Sequence, residues 1–357
     1  MVKIILTGGG TAGHVLPNLA LVPALLDAGF EIGYIGETNG VEQQLATNAK
    51  LKFYGISAGK LRRYLSAKNI ADAFRVIKGF GQARKVLRKE RPDVIFSKGG
   101  FVAVPVVFAA KTLKIPVVIH ESDITIGLAN KLSIPRAKKV CYVFPETLSQ
   151  LPKEKAIHTG APLRKEVLQG SVVRAKKFCG FETEKPVIMI VGGSQGSLAL
   201  NKIVRESLVE LLSDFNIIHI CGKGNVDDSL GNQEGYRQFE YIAKEMGDLL
   251  AFCDIVVSRA GANAIGEFLA LQKPNILIPL SKAASRGDQI LNAKSFEAQG
   301  FSVVVQEEDL DNKKLVSTIK STFANKDSFV ATMKKSKTSK DPISHILEVI
   351  QEVANSK

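Results

Sequence analysis

One order of elements, a buried strand, a glycine turn and then a helix, occurs twice in this chain: MVKIILTGGGTAGH opens it and EKPVIMIVGGSQGS repeats it near residue 186. Around these points run VKIILT, EIGYIG, PDVIFS, IPVVIH, KVCYVF, PVIMIV, NIIHIC, CDIVVS and PNILIPL, each short, apolar and followed by a longer stretch of helical spacing. Runs apolar along their whole length belong to strands covered on both faces. The alternation therefore predicts an α/β fold of parallel sheets flanked by helices. Ligands of such sheets bind where the strands' carboxyl ends feed their loops. At 357 residues the chain exceeds what one core fills. Two similar domains are expected, residues 1–163 and 164–341, joined near HTGAPLRKEV, where Gly160 and Pro162 interrupt regular structure. A last helical segment, 342–357, is left to pack on either domain, a return to the first included.

The balance of 45% hydrophobic and 23% charged residues is that of a folded globular chain. MVKIIL is too short for the apolar core of a signal peptide, and FVAVPVVFAA ends at Lys111, short of a bilayer span, so neither export nor a membrane crossing is expected. Cys141, Cys179, Cys221 and Cys253 form no C-x-x-C pair and read as reduced thiols of a cytosolic protein. A formal charge of +13 calls for an anionic partner: nucleic acid, a phosphorylated substrate or an acidic membrane face. No nucleic-acid-binding signature accompanies the charge. Much of it lies in residues 60–89, where Lys60, Arg62, Arg63, Lys68, Arg75, Lys78, Arg84, Lys85, Arg88 and Lys89 surround Ile70, Phe74 and Ile77 at helical spacing. That segment is either a solvated helix packed on its own domain or a dock for anionic lipid.

In the first loop, Gly8, Gly10 and Gly13 let backbone approach a ligand closely, and Val15, Leu19, Val22 and Leu26 are expected on one face of the helix behind them, with Pro23 kinking it. With Glu37 about 20 residues on, these glycines also satisfy a dinucleotide fingerprint, so a nicotinamide-dependent oxidoreductase is a rival reading. It leaves the second loop unexplained. His14 sits in the first helical turn, where the helix dipole disfavours imidazolium; it is either a general base or a residue that hydrogen-bonds its own loop. GGSQGS places N–H groups and hydroxyls at a helix N-terminus, an arrangement that holds phosphate, and lacks the Gly-Lys-Ser/Thr of an ATPase loop. Glu267, in SRAGANAIGE, either accepts bonds from a ribose diol or is a solvated helix residue. Asp288, Gln289 and Asn292, in SRGDQILNA, suit sugar hydroxyls or a helix cap equally.

GGGTAGH, FSKGGFVAVPVV, IHESDITIGLANK, GAPLR, GGSQGS, SRAGANAIGE and GDQILNA, in that order, give the chain a close resemblance over nearly its full length to the MurG family of glycosyltransferases. The resemblance implies the GT-B architecture, two Rossmann-like domains around a cleft, and inverting transfer of N-acetylglucosamine from UDP-N-acetylglucosamine to the C4 hydroxyl of a lipid-linked N-acetylmuramyl-pentapeptide in peptidoglycan synthesis. It places the sugar nucleotide mainly on the C-terminal domain and the lipid acceptor on the N-terminal one, at the cytoplasmic face of a bacterial membrane. It assigns Ser194 to the diphosphate, Glu267 to the ribose, the backbone near Ile242 to uracil, and Ala264 and Gln289 to the transferred sugar. Thr11, Ala12, Gly13, Asn130 and Arg164 complete the donor contacts, and His14 becomes the candidate base. Ala12 stands where the family motif has a further glycine, adding a methyl group at a point of close approach. The family it resembles presents no D-x-D metal motif, so the resemblance implies neither metal nor cofactor. A UDP-N-acetylglucosamine epimerase is the related alternative.

Overall fold

The computed structural model describes residues 1–59, 68–181, 183–193, 196–282, 287–336 and 341–356. The chain divides into two compact units, one of Met1–Arg164 with the C-terminal helix and one of Lys165–Lys337. Seven parallel strands form the sheet of the first unit: β1 (Val2–Thr7), β2 (Phe30–Glu37), β3 (Lys52–Ile56), β4 (Val94–Ser97), β5 (Val117–Glu121), β6 (Lys139–Tyr142) and β7 (Ala156–His158), in the order β3-β2-β1-β4-β5-β6-β7. The central strand sets Ile4 against Ile32 on one side and Val94 on the other. Its alternate residues feed two cores, as the period of a strand requires. Ile4 and Leu6 pack with Val15, Leu21 and Leu25. Ile5 packs on the opposite face with Ile35, Leu87, Val106 and Ile119.

Helix α1 (Ala12–Asp27) follows β1 and contains both Pro17 and Pro23; neither ends it. Val15 and Val22 of the expected stripe are buried beside Leu21 and Leu25, and Leu19 packs on the same core, but Leu26 is 56% exposed. One residue turns the helix by about 100°, which carries Leu26 past the edge of that face. Among the helices that follow in this unit are α2 (Val41–Asn48) and α3 (Lys68–Glu90). The last helix, Pro342–Asn355, lays Ile346, Val349, Ile350 and Val353 into the core beneath Ile4 and Leu6.

The second unit repeats the plan. Strands β8 (Val187–Val191), β9 (Asn216–Ile220), β10 (Tyr236–Phe239), β11 (Ile255–Ser258), β12 (Asn275–Leu277) and β13 (Ser302–Val304) are parallel, in the order β10-β9-β8-β11-β12-β13. Ile188, Ile190, Ile217, Val257 and Ile276 meet Leu200, Val204, Leu315 and Ile319 of the covering helices. In each sheet the chain steps outward from its first strand for two strands, then crosses to that strand's other side. At β1/β4 and at β8/β11 the departing loops therefore run to opposite faces, and a crevice opens at the carboxyl ends of the strands. Both glycine loops leave from these points.

Candidate active site

In the first unit the glycine loop is held from below by a carboxylate. Glu42, fully buried at the start of α2, accepts from the backbone N–H of Glu37 at 2.9 Å and of Gly10 at 3.3 Å. Gly10 adopts φ +87°, and a Cβ there would press on the ring of Phe101. Tyr34 Oη donates to Gly8 O at 2.7 Å and Asn18 Nδ2 donates to Thr7 O at 3.1 Å, which fixes the strand end. On that base His14 is half-buried in the first turn of α1, its Nδ1 3.2 Å from the carbonyl oxygen of Lys98. A carbonyl only accepts, so the proton of the neutral ring sits on Nδ1 and the lone pair on Nε2. Thr11 caps α1 with an extended backbone and an exposed side chain that makes no capping bond.

Beside it, after β4 and β5, lies a buried polar cluster. Lys98 is 2% exposed and donates Nζ to Ser122 Oγ. Glu121 accepts from the N–H groups of Ser122 (2.9 Å), Asp123 (3.2 Å) and Gly127 (3.0 Å) and from Asn130 Nδ2 (2.9 Å). Burial raises the Glu121 carboxyl above its ordinary range, with Asp123 adding to the effect. Burial also lowers Lys98 to about 8, against the pull of Glu121 and Asp123. Below pH 8 the ammonium is present in both the folded and the unfolded chain and the burial cost is complete. Between about 8 and 10.5 the unfolded chain keeps a proton that the folded one releases, so stability rises with pH. Lys98→Met is expected to be more stable than the parent by about 2 kcal/mol at pH 7, the gap closing towards pH 10.5. Urea unfolding across that range measures it, and a less stable variant at pH 7 contradicts it.

In the second unit, Gly192 and Gly193 leave β8, and Gly196 returns with φ +78° to the helix Leu198–Glu206. Ser197 caps that helix, accepting from Leu200 N at 3.3 Å. Ser194 and Gln195, within this loop, lie outside the described residues. Asn201 Nδ2 donates to Cys221 O at 2.9 Å, and its Oδ1 lies 3.0 Å from His219 Nε2. The other ring nitrogen is 2.7 Å from Tyr236 Oη. Burial first, and Arg205 second, depress His219 to about 3, so the ring is a neutral strut. Arg259, directly after β11, is 6% exposed; it donates to Ser197 Oγ at 2.7 Å and Ile278 O at 3.1 Å and pairs with Glu307.

Residues 4–142 match the glycosyltransferase family 28 N-terminal domain and residues 187–346 match the family's C-terminal domain. A UDP-N-acetylglucosamine–N-acetylmuramyl-(pentapeptide) pyrophosphoryl-undecaprenol N-acetylglucosamine transferase of Lachnoclostridium phytofermentans is 56% identical over 99% of this chain and 99% of its own. The chain belongs to glycosyltransferase family 28. Among solved structures, MurG of Acinetobacter baumannii superposes with a TM-score of 0.76 at 25% identity, over 99% of this chain and 100% of its own. A UDP-GlcNAc 2-epimerase of Neisseria meningitidis, bound to UDP-GlcNAc, shares the fold at 14% identity, with a TM-score of 0.70 over 99% of this chain and 100% of its own.

Family 28 membership removes the ground for the nicotinamide reading that Glu37 and the first glycine loop had left open. The structure gathers Thr11, Ala12, Gly13 and His14 at the opening of α1. Asn130 is 4% exposed and spends its amide on Glu121 and on His120 O. Arg164 closes the first unit. Ala264 and Glu267 share the helix Ala262–Ala270, Glu267 in its second turn, and Ile242, 6% exposed, follows β10. Gln289 Oε1 accepts from Leu280 N at 3.2 Å, while Asn292 Nδ2 donates to Ala260 O at 3.3 Å, joining the loops after β11 and β12. Ser285 and Arg286 lie outside the described residues, as do Lys60, Arg62 and Arg63. Sequence reasoning passed over Glu42, Lys98 and Arg259. The last was within reach, because it lies in the SRAGANAIGE motif quoted for its small residues.

Proposed function

We propose that this chain transfers N-acetylglucosamine from UDP-N-acetylglucosamine to the C4 hydroxyl of undecaprenyl-pyrophosphoryl-N-acetylmuramyl-pentapeptide, with inversion, in peptidoglycan synthesis. The observation that carries the reading is full-length identity of 56% to a relative named for this transfer. His14 Nε2, the ring's acceptor nitrogen when Nδ1 donates to Lys98 O, takes the proton of the C4 hydroxyl as its oxygen attacks the anomeric carbon from the face opposite UDP. The new C–O bond forms as the bond to the diphosphate breaks. N–H groups at the start of the helix Leu198–Glu206, with Ser194, take up the charge that develops on the diphosphate, about 3 kcal/mol for each well-placed donor. Glu267 accepts from the ribose, the Ile242 backbone reads uracil, and Ala264 and Gln289 contact the sugar. Thr11, Ala12, Gly13, Asn130 and Arg164 finish the donor site, Asn130 through Glu121.

The test is transfer of labelled sugar from the donor to a muramyl-pentapeptide lipid analogue by the purified chain. Turnover that requires the acceptor supports the proposal; donor turnover without it favours an epimerase, and no transfer at all sinks the reading.

The same function calls for access to a lipid. Among the described residues no helix is long and apolar enough to cross a membrane. On α3, Ala83 and Leu87 enter the core while Phe74 and Ile77 stand 69% and 67% exposed, beside the exposed Arg75 and Lys78. We propose that this face docks on anionic lipid at the cytoplasmic side of the membrane. Burying each apolar side chain contributes about 1.5–3 kcal/mol. Joint Phe74→Ser and Ile77→Ser substitution should lower partitioning onto phosphatidylglycerol vesicles about 30-fold or more at constant UDP affinity. Unchanged sedimentation with vesicles would remove α3 as the dock.

A further inference from the structure

The second glycine loop carries a buried charge arrangement that its phosphate-holding role alone does not require. Arg259 lies under Gly193, its Cγ 3.8 Å from where a Cβ on that glycine would be. Its guanidinium is bonded to Ser197, the cap of the helix Leu198–Glu206. A cation at that end of a helix faces the positive pole of the dipole, an unfavourable placement that burial makes worse. Two groups relieve it, the carbonyl of Ile278 and the carboxylate of Glu307, whose side chain is 22% exposed. The Nε–H is buried and has no partner among the described residues. Arg259 and the helix N-terminus together thus hold more positive potential at this point than Glu307 answers, and Glu307 is itself an anion beside the loop assigned to the diphosphate.

Resting on that assignment, we infer that Arg259 is a positioning residue for the donor's diphosphate and that Glu307 is its resident counter-ion, competing with the diphosphate for the same positive potential. Arg259 acts through Ser197, setting the first turn of the helix and therefore the direction of its N–H groups. Glu307 neutralises the guanidinium while the site is empty and weakens the hold on UDP once the sugar has left. The carboxylate thereby limits product affinity. A purely structural ion pair makes the opposite prediction, because loss of Glu307 would then loosen the loop and weaken every ligand.

Calorimetric titration of the full chain with UDP and with uridine, which lacks the phosphates, separates the two. Glu307→Gln is expected to bind UDP about three- to tenfold more tightly than the parent and uridine equally well. Arg259→Gln should lose tenfold or more in UDP affinity, with uridine again unchanged, and Arg259→Lys should recover part of it. Weaker or unaltered UDP binding by Glu307→Gln overturns the inference even if the Arg259 variants fail to fold. If the parent itself binds no UDP, the proposed function falls and this inference with it; if the parent binds UDP and Glu307→Gln shows no selective gain, only the counter-ion role falls.

Discussion

His14→Ala is expected to slow sugar transfer by about 10²- to 10⁴-fold while UDP affinity stays within about threefold. The bond from Nδ1 to Lys98 O leaves Nε2 as the ring's acceptor, and the ring stands in the first turn of α1, where imidazolium is disfavoured. A second variant separates proton transfer from support of the loop. In His14→Asn the amide N–H occupies much the same place as Nδ1 and keeps the bond to Lys98, yet no basic nitrogen remains. Steady-state rates close to those of the alanine variant identify His14 as the base. Rates near those of the parent would mean that it serves only to hold its loop.

Gly196→Ala is expected to lower UDP affinity by about 100-fold or more and to destabilise the second unit by about 2–4 kcal/mol. At φ +78° any side chain is strained, and here the new Cβ would also strike the carbonyl oxygen of Cys221 and the Cα of Gly222. Neither obstacle is free to move. Cys221 O is held by Asn201 Nδ2 at 2.9 Å, Cys221 N donates to Phe239 O at 2.8 Å, and Asn201 is braced by His219. Gly224 is the control: its φ of +72° is similar, but a Cβ there meets nothing within 4 Å. Gly224→Ala should cost only about 1 kcal/mol and leave UDP binding intact. Equal losses in the two variants, by calorimetry and thermal unfolding, would mean that backbone strain rather than the collision governs the loop.

The strands that were legible as apolar runs are the interior ones of both sheets. β3, β7, β10 and β13, which were not, are the four sheet edges. An edge strand has one neighbour and is less often covered on both faces, so its residues need not be apolar throughout. KFYGI keeps an exposed Lys52, and YRQF puts Arg237 and Gln238 to work as hydrogen-bonding side chains. The site divided along similar lines. Its glycine loops and His14 stand together in sequence and could be read as motifs. Glu42 acts across the fold, and nothing local marks a carboxylate as destined for a loop 32 residues away; Arg259 stands inside a motif, but its partner Ser197 lies 62 residues off. On α1 the spacing placed Val15, Leu19 and Val22 on the core side and missed only Leu26, because spacing gives the period of the helix while the sheet decides where its buried face is centred.

The helix Pro342–Asn355 completes the core under Ile4 and Leu6, so the first unit is assembled from both ends of the polypeptide, whereas the second is one uninterrupted stretch. During synthesis on the ribosome the order of completion is therefore inverted with respect to the order of translation. The second unit has its whole sequence available first, and the first unit waits for the helix Pro342–Asn355 to emerge, with Val15, Leu21 and Leu25 lacking their final cover until then. A premature stop codon between residues 338 and 346 would consequently spoil the fold of the first unit, which is translated earlier, while sparing the second.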